Sequence, residues 1–229
     1  MKALLYFGLW LVFTTTNYKK NNTSNDSNLM SKTELGDIIV HLEYGYGLGV
    51  QVKYVPYLIF DDGNIYKDFT ISPTNFDVQV SKIKNAKPWG TYQIKGKEII
   101  IKWPNKAAEI WKDKTWFKTQ SASNGELLNG TYKSISGLST ISMGGTETIL
   151  SLKNISFLDD KFTYESTGSA VNESTTSYGT HNTSGTYSLD KNVIEFRFNN
   201  GTVERKFFFF SSDNKKVFGI GNTYYIQKK

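Results

Sequence analysis

Two stretches of this chain carry nearly the same text. Trp89-Gly90-Thr91-Tyr92 opens a segment running through Ile99 and Trp103 to Glu109; Ser184-Gly185-Thr186-Tyr187 opens another running through Ile194 and Phe198 to Glu204. At a constant offset of 95 (185 − 90), Gly90, Thr91, Tyr92, Ile99, Asn105 and Glu109 meet Gly185, Thr186, Tyr187, Ile194, Asn200 and Glu204 without a gap. A fixed offset means a supersecondary unit used twice. The chain must therefore fold as two related units, and 229 residues suffice for both to bury a core.

The units read as β-structure. Tyr, Phe and Trp number 14, 15 and 5, and such side chains suit a pleated, half-buried surface. Strands are expected over 37–42 and 51–60, with Pro56 marking an edge or bulge. Tyr44-Gly45-Tyr46-Gly47-Leu48-Gly49 has glycines at alternating positions, which fits a bend between strands and not a phosphate-binding loop. Asp61-Asp62-Gly63 predicts a type I′ hairpin turn. Ser72-Pro73 predicts the start of a short helix over 73–85, with Phe76, Val80 and Ile83 on its buried face. Strands follow at 89–94, 99–103, 107–111 and 115–118.

The second unit repeats the plan. Strands are expected at 127–133, 148–157 and 162–166, with Asp159-Asp160 echoing the earlier Asp-Asp turn. Residues 166–184, rich in Gly, Ser, Thr and Asn, read as a polar loop where the first unit has its helix. Val193–Phe198 alternates, Asn200-Gly201 turns the chain into 202–210, and Gly221-Asn222 turns the last hairpin. Phe207-Phe208-Phe209-Phe210 is apolar on both faces, so one side needs cover from the neighbouring unit or a loop. The expected fold is all-β: an antiparallel meander of about fifteen strands with one short helix.

Gly185-Thr186-Tyr187, the Asn200-Gly201 turn, Glu204, the four phenylalanines and the hairpin over 221–226 together resemble the lipocalin-like repeats of bacterial exported, lipoprotein-type proteins. The likeness is fuller over 127–229 than over 37–118. It implies two lipocalin-like β units, barrels or half-barrels, and possible ligand binding; it brings no catalytic residue.

The N-terminus reads as an export signal. Lys2 precedes an apolar run over 3–13, and three threonines follow. Eleven residues rise about 16 Å as a helix, against a bilayer core of ~30 Å, so no transmembrane span is expected. The layout is that of a lipoprotein leader, yet the chain has no cysteine to carry the lipid. The expected organisation is a signal peptide over 1–16, a flexible polar tether over 17–36, a first β unit over 37–119, a linker over 120–126 and a second β unit over 127–229. The location follows: periplasm, cell envelope or secreted.

Absence of cysteine also removes disulfides, thiolate nucleophiles and thiolate metal sites. The net charge of +6 rests on scattered lysines, with only Arg197 and Arg205 as arginines, so nucleic acid is not an expected partner. His41 and His181 lack the spacing of a zinc site, and no Gly-x-Ser-x-Gly elbow is present. Asp61-Asp62 and Asp159-Asp160 are adjacent carboxylates that serve turns, whereas a glycosidase needs two facing across a cleft. Trp89, Trp103, Trp111 and Trp116 would stack sugars if exposed; Trp103, aligned with inward Phe198, points to core. The sequons at Asn129, Asn154 and Asn200 are those a chain this rich in Asn, Ser and Thr acquires by chance.

The expected function is a non-enzymatic exported protein that binds a small apolar ligand, a glycan or an envelope component. Alternatives are a structural or protein-interaction module of the envelope, and a hydrolase of envelope material. The motifs assign no catalytic residue, metal ligand, cofactor or ligand-binding residue.

Overall fold

The computed structural model describes residues 36–46, 50–70, 72–73, 76–139, 148–171, 176–211 and 214–229. The expected signal peptide and nearly all of the expected tether lie outside these residues, as does the centre of the glycine-rich bend.

The first unit is a seven-stranded antiparallel sheet in the order β6-β5-β4-β3-β2-β1-β7. Its strands are β1 (Asp37–Tyr46), β2 (Val50–Ile59), β3 (Asn64–Tyr66), β4 (Trp89–Lys95), β5 (Glu98–Lys102), β6 (Glu109–Trp111) and β7 (Trp116–Lys118). It is nearly a barrel: among the described residues no ladder joins β6 to β7, the strands at its two ends. The second unit is closed. β8 (Gly130–Ser139), β9 (Thr148–Leu158), β10 (Lys161–Val171), β11 (Thr176–Asp190), β12 (Val193–Phe198), β13 (Val203–Ser211), β14 (Asn214–Ile220) and β15 (Thr223–Gln227) follow one another around an eight-stranded ring that closes where β15 meets β8. These are two lipocalin-like β units.

The repeat survives as register. Tyr92 pairs with Ile101 and Ile101 with Glu109; Tyr187 pairs with Phe196 and Phe196 with Glu204. Both glycines of the motif face the same obstacle. A Cβ on Gly90 would lie 2.9 Å from the Lys102 carbonyl oxygen and 2.7 Å from the Trp103 ring, and one on Gly185 would lie 2.0 Å from the Arg197 carbonyl oxygen and 2.9 Å from Phe198 Cα. Each tyrosine ties its strand back to the preceding Asp-Asp turn. Tyr92 donates its amide to Gly63 O (2.8 Å) and its hydroxyl to Phe60 O (3.1 Å). Tyr187 donates its amide to Asp160 O (2.8 Å) and its hydroxyl to Asp159 O (3.0 Å).

Three cores result. One fills the barrel, one fills the curved first sheet, and a third lies between them, combining Ile38, Val40, Leu58, Trp89 and others with Phe207 and Phe209 of β13. Alternation divides the four phenylalanines accordingly: Phe208 and Phe210 point into the barrel, Phe207 and Phe209 into the shared core. The segment over 120–126 also joins the barrel. Gln120 bridges to Phe210, Ala122 bridges to Lys191 and is buried in the barrel core, and Gly125 donates to Leu189 O.

Pro56 sits at an edge. Ile38 gives its carbonyl to Thr119 on the β7 side, so Val40, two residues on, has its polar groups on that side too. Its partner Pro56 therefore points away from β1, past the end of β3, which pairs with β2 only at Leu58 and Ile59. The missing N–H breaks no ladder bond.

Three expectations change. The helix α1 is Val78–Lys84, capped by the Asp77 carboxylate accepting from Val80 N at 2.8 Å, and does not begin at Pro73. Phe76 precedes it and is buried with Val78, which leaves Val80 and Ile83 exposed, the latter by 84 %. The Asp61-Asp62-Gly63 turn has positive φ only at Gly63 (79°), and Phe60 N bonds Asn64 O, which makes it a type I turn with a glycine bulge. Finally, the described residues of the span 166–184, which are 166–171 and 176–184, are strand and not loop. They complete β10 and β11, paired from Lys161↔Thr186 to Val171↔Thr176. An exposed two-faced hairpin needs no apolar alternation, so its pattern lacks the usual strand signal.

Candidate ligand-binding site

The barrel is packed at one end and hollow at the other. Inward positions on β12 and β13 run Ile194, Phe196, Phe198 and Phe210, Phe208, Lys206, Glu204, from apolar to charged. At the packed end Phe157, Phe208, Phe218 and Tyr187 interlock, and Leu128 covers them, donating its amide to the Tyr187 hydroxyl at 2.6 Å. Towards the other end a cavity of about 400 Å³ remains, within the range of small-molecule sites.

The cavity is two-zoned. Its floor is apolar and aromatic: Ile155, Phe162, Phe196, Phe198, Ile220 and Tyr225. Phe162 meets Phe196 and Phe198 edge-on at 4.7 and 5.4 Å, which sets the ring positions. Its rim carries Lys153, His181, Thr183, Thr202, Glu204 and Lys206. The Lys206 ammonium lies 2.9 Å from the Glu204 carboxylate. Burial, and then the electrostatic influence of Tyr164 and a hydrogen bond with it, hold the Tyr225 hydroxyl well above its ordinary pKa, so it stays protonated.

The first unit has a counterpart. A cleft of about 690 Å³ opens at the unpaired seam, lined by His41, Glu43, Tyr57, Trp103, Glu109 and Trp111 among others. Trp103 and Glu109 are the repeat equivalents of Phe198 and Glu204, so both mouths carry a glutamate at one register. The Tyr57 hydroxyl donates to Glu43 at 2.5 Å. His41, its Nδ1 3.9 Å away, is the largest influence holding the Glu43 carboxyl below its ordinary pKa. Burial, then the Glu43 bond, push the Tyr57 hydroxyl up.

The tryptophans divide. Trp89 belongs to the shared core, while Trp103 and Trp111 fill the first unit at 4 % and 3 % exposure. Their faces are taken: His41 stacks on Trp111 at 3.9 Å and 4°, and the Lys67 ammonium stands 4.6 Å over Trp103. Trp116 donates its indole N–H to Lys97 O.

His41 and His181 fall in different units. Asp62 serves its turn, accepting from Asn64 N at 3.1 Å. Arg197 and Arg205 both close on the Glu195 carboxylate, on the outer face. Among the described residues no group of three or more His, Asp or Glu is arranged to hold a metal, and no helix is long and apolar enough to cross a membrane.

Sequence reasoning missed Lys153, Tyr164 and Lys206. The available signals were the repeated glutamate at 109 and 204 and the inward alternation of Glu204, Lys206, Phe208 and Phe210. No family profile, curated protein or solved structure matches this chain.

Proposed function

We propose that this is a non-enzymatic, exported binding protein of lipocalin-like architecture, and that its closed barrel takes a small amphipathic molecule at the open end. The observation carrying this reading is the two-zoned cavity: an aromatic floor continuous with the barrel core beneath a rim of charged and hydroxyl groups. Such a site is worth an apolar body's burial, about 25 cal/mol per Å² removed from water, while the rim fixes orientation. Export rests on the apolar run behind Lys2.

An apolar ligand is favoured over a glycan by Trp89, Trp103 and Trp111, whose rings are buried or covered and offer no stacking platform. The interaction-module reading loses the Phe-rich strand, which is buried on both faces within the chain. At the barrel cavity hydrolysis is disfavoured because the lining presents one carboxylate, Glu204, already paired with Lys206, not two facing across a substrate.

Titration with the neutral fluorophore N-phenyl-1-naphthylamine tests the proposal. Saturable one-to-one binding, lost on Thr183→Trp at the mouth, is expected. Failure of the folded protein to bind saturably, or binding indifferent to Thr183→Trp, overturns it.

A further inference from the structure

We infer that the ligand of the barrel is an anionic amphiphile whose head group is held by Lys153. This rests on the amphiphile reading above and adds the charge of the head.

Three cationic or potentially cationic groups, Lys153, Lys206 and His181, and one carboxylate, Glu204, face the cavity. Glu204 is spent on Lys206. Lys153 stands on β9, four strands from β13 in a ring of eight, so it reaches into the mouth from the wall opposite that pair. Its cross-strand neighbours are Ser134 and Ser166, both uncharged. The nearest acid in the ladder, Glu165, pairs with Asn154 on the outer face and accepts from its side-chain amide at 3.2 Å. Among the described residues no carboxylate partners the Lys153 ammonium.

A half-buried ammonium without a counter-ion costs solvation that no described carboxylate returns. An anion arriving at the rim returns it, and the attached apolar body then lies on Phe162, Phe196 and Tyr225. A cationic head would meet Lys153 and a carboxylate already neutralised, so the sign is decided by which charge is unpaired.

The barrel wall is also interrupted on the β13 side. β13 pairs with β14 only from Phe208 onward, where the ladder ends at Phe208↔Ile220, so the edge over 203–206 faces an opening above the β14–β15 turn. A second hollow of about 480 Å³ outside that opening shares Glu204, Lys206, Ile220 and Thr223 with the cavity.

The test displaces N-phenyl-1-naphthylamine with three molecules of one chain length: decanoate, decanol and decyltrimethylammonium. Decanoate is expected to compete at roughly tenfold lower concentration than decanol, the equivalent of about 1.4 kcal/mol. Lys153→Gln is expected to remove that advantage while leaving decanol within about twofold. Decanol or the ammonium competing as well as decanoate against the unsubstituted protein, a comparison needing no variant, overturns the head-group inference and leaves the amphiphile reading standing. An advantage for decanoate that persists in a folded Lys153→Gln variant moves the anion off Lys153 and equally overturns it. If the fluorophore itself does not bind, the amphiphile reading falls first.

Discussion

Gly185→Ala is the sharpest perturbation the repeat offers. The added methyl would stand 2.0 Å from the Arg197 carbonyl oxygen and 2.8 Å from its carbon, where ordinary contact starts at 3.4 Å. Strands β11 and β12 would have to part by about 1.4 Å (3.4 − 2.0) at the Gly185↔Phe198 pair. Both obstacles are backbone, so no rotamer change relieves them. Overpacking costs about 1–3 kcal/mol and one lost ladder bond about 1 more, which gives roughly 2–4 kcal/mol in all, and the fixed backbone obstacles put Gly185 at the upper end. At Gly90 the closest atom is the Trp103 ring edge at 2.7 Å, which can tilt slightly, so about 2 kcal/mol is expected there. Gly168 and Gly179 supply the control. They pair with each other, an added methyl at either would meet nothing within 4 Å, and neither carries a left-handed φ. Alanine at either should be neutral or stabilising by up to about 1 kcal/mol. Urea denaturation followed by circular dichroism gives all four free energies. Gly185→Ala within about 1 kcal/mol of wild type, or no worse than Gly168→Ala, would refute the reasoning.

Other consequences are checked by the same denaturation curves. Phe208→Ala and Phe209→Ala should each cost about 3–5 kcal/mol, because both are 0 % exposed although they face opposite ways; a strand with one solvent face would lose less than 1 kcal/mol at one of them. The Glu195 carboxyl is held below its ordinary value of 4.5, first by the Arg205 hydrogen bond and further by Arg197. A depressed folded pKa gives stability that is complete above the unfolded value and lost as pH falls through the folded one. With the arginines 41 % and 64 % exposed, Glu195→Gln should cost about 1 kcal/mol at pH 7, and that difference from wild type should vanish when the titration is repeated well below pH 4. The Tyr224 hydroxyl is buried in the shared core with no hydrogen-bond partner among the described residues. Tyr224→Phe should therefore leave stability unchanged or raise it by up to about 1 kcal/mol; a loss beyond that would show the hydroxyl to be engaged.

Much of the architecture was legible because it is written in local rules. Period-two alternation over Val193–Phe198, the turn residues at Gly63, Gly201 and Gly221, and a repeat at constant offset each act within a hairpin, where sequence neighbours are spatial neighbours. The segments that differ lack such a rule. Ser72-Pro73 reads as a better helix start than Asp77, yet the carboxylate of Asp77 caps the helix. Residues 166–171 and 176–184 are strands held by pairing with β9 and with each other, with no apolar alternation of their own to announce them.

The candidate site shows the same division. From the sequence alone came two β units, core positions for Trp103 and Phe198, turn roles for the Asp pairs, and a Phe-rich strand apolar on both faces and requiring cover on one side. These follow from side-chain chemistry combined with a period of two. Only the tertiary structure decided that one sheet closes while the other stops short between β6 and β7, and that Phe207 and Phe209 are covered by the first unit. It alone set Lys153 across the mouth from Glu204 and Lys206, since β9 and β13 meet only through barrel closure. Closure depends on strand order and curvature summed over the whole ring, and residues facing each other across it have no sequence spacing by which to be found.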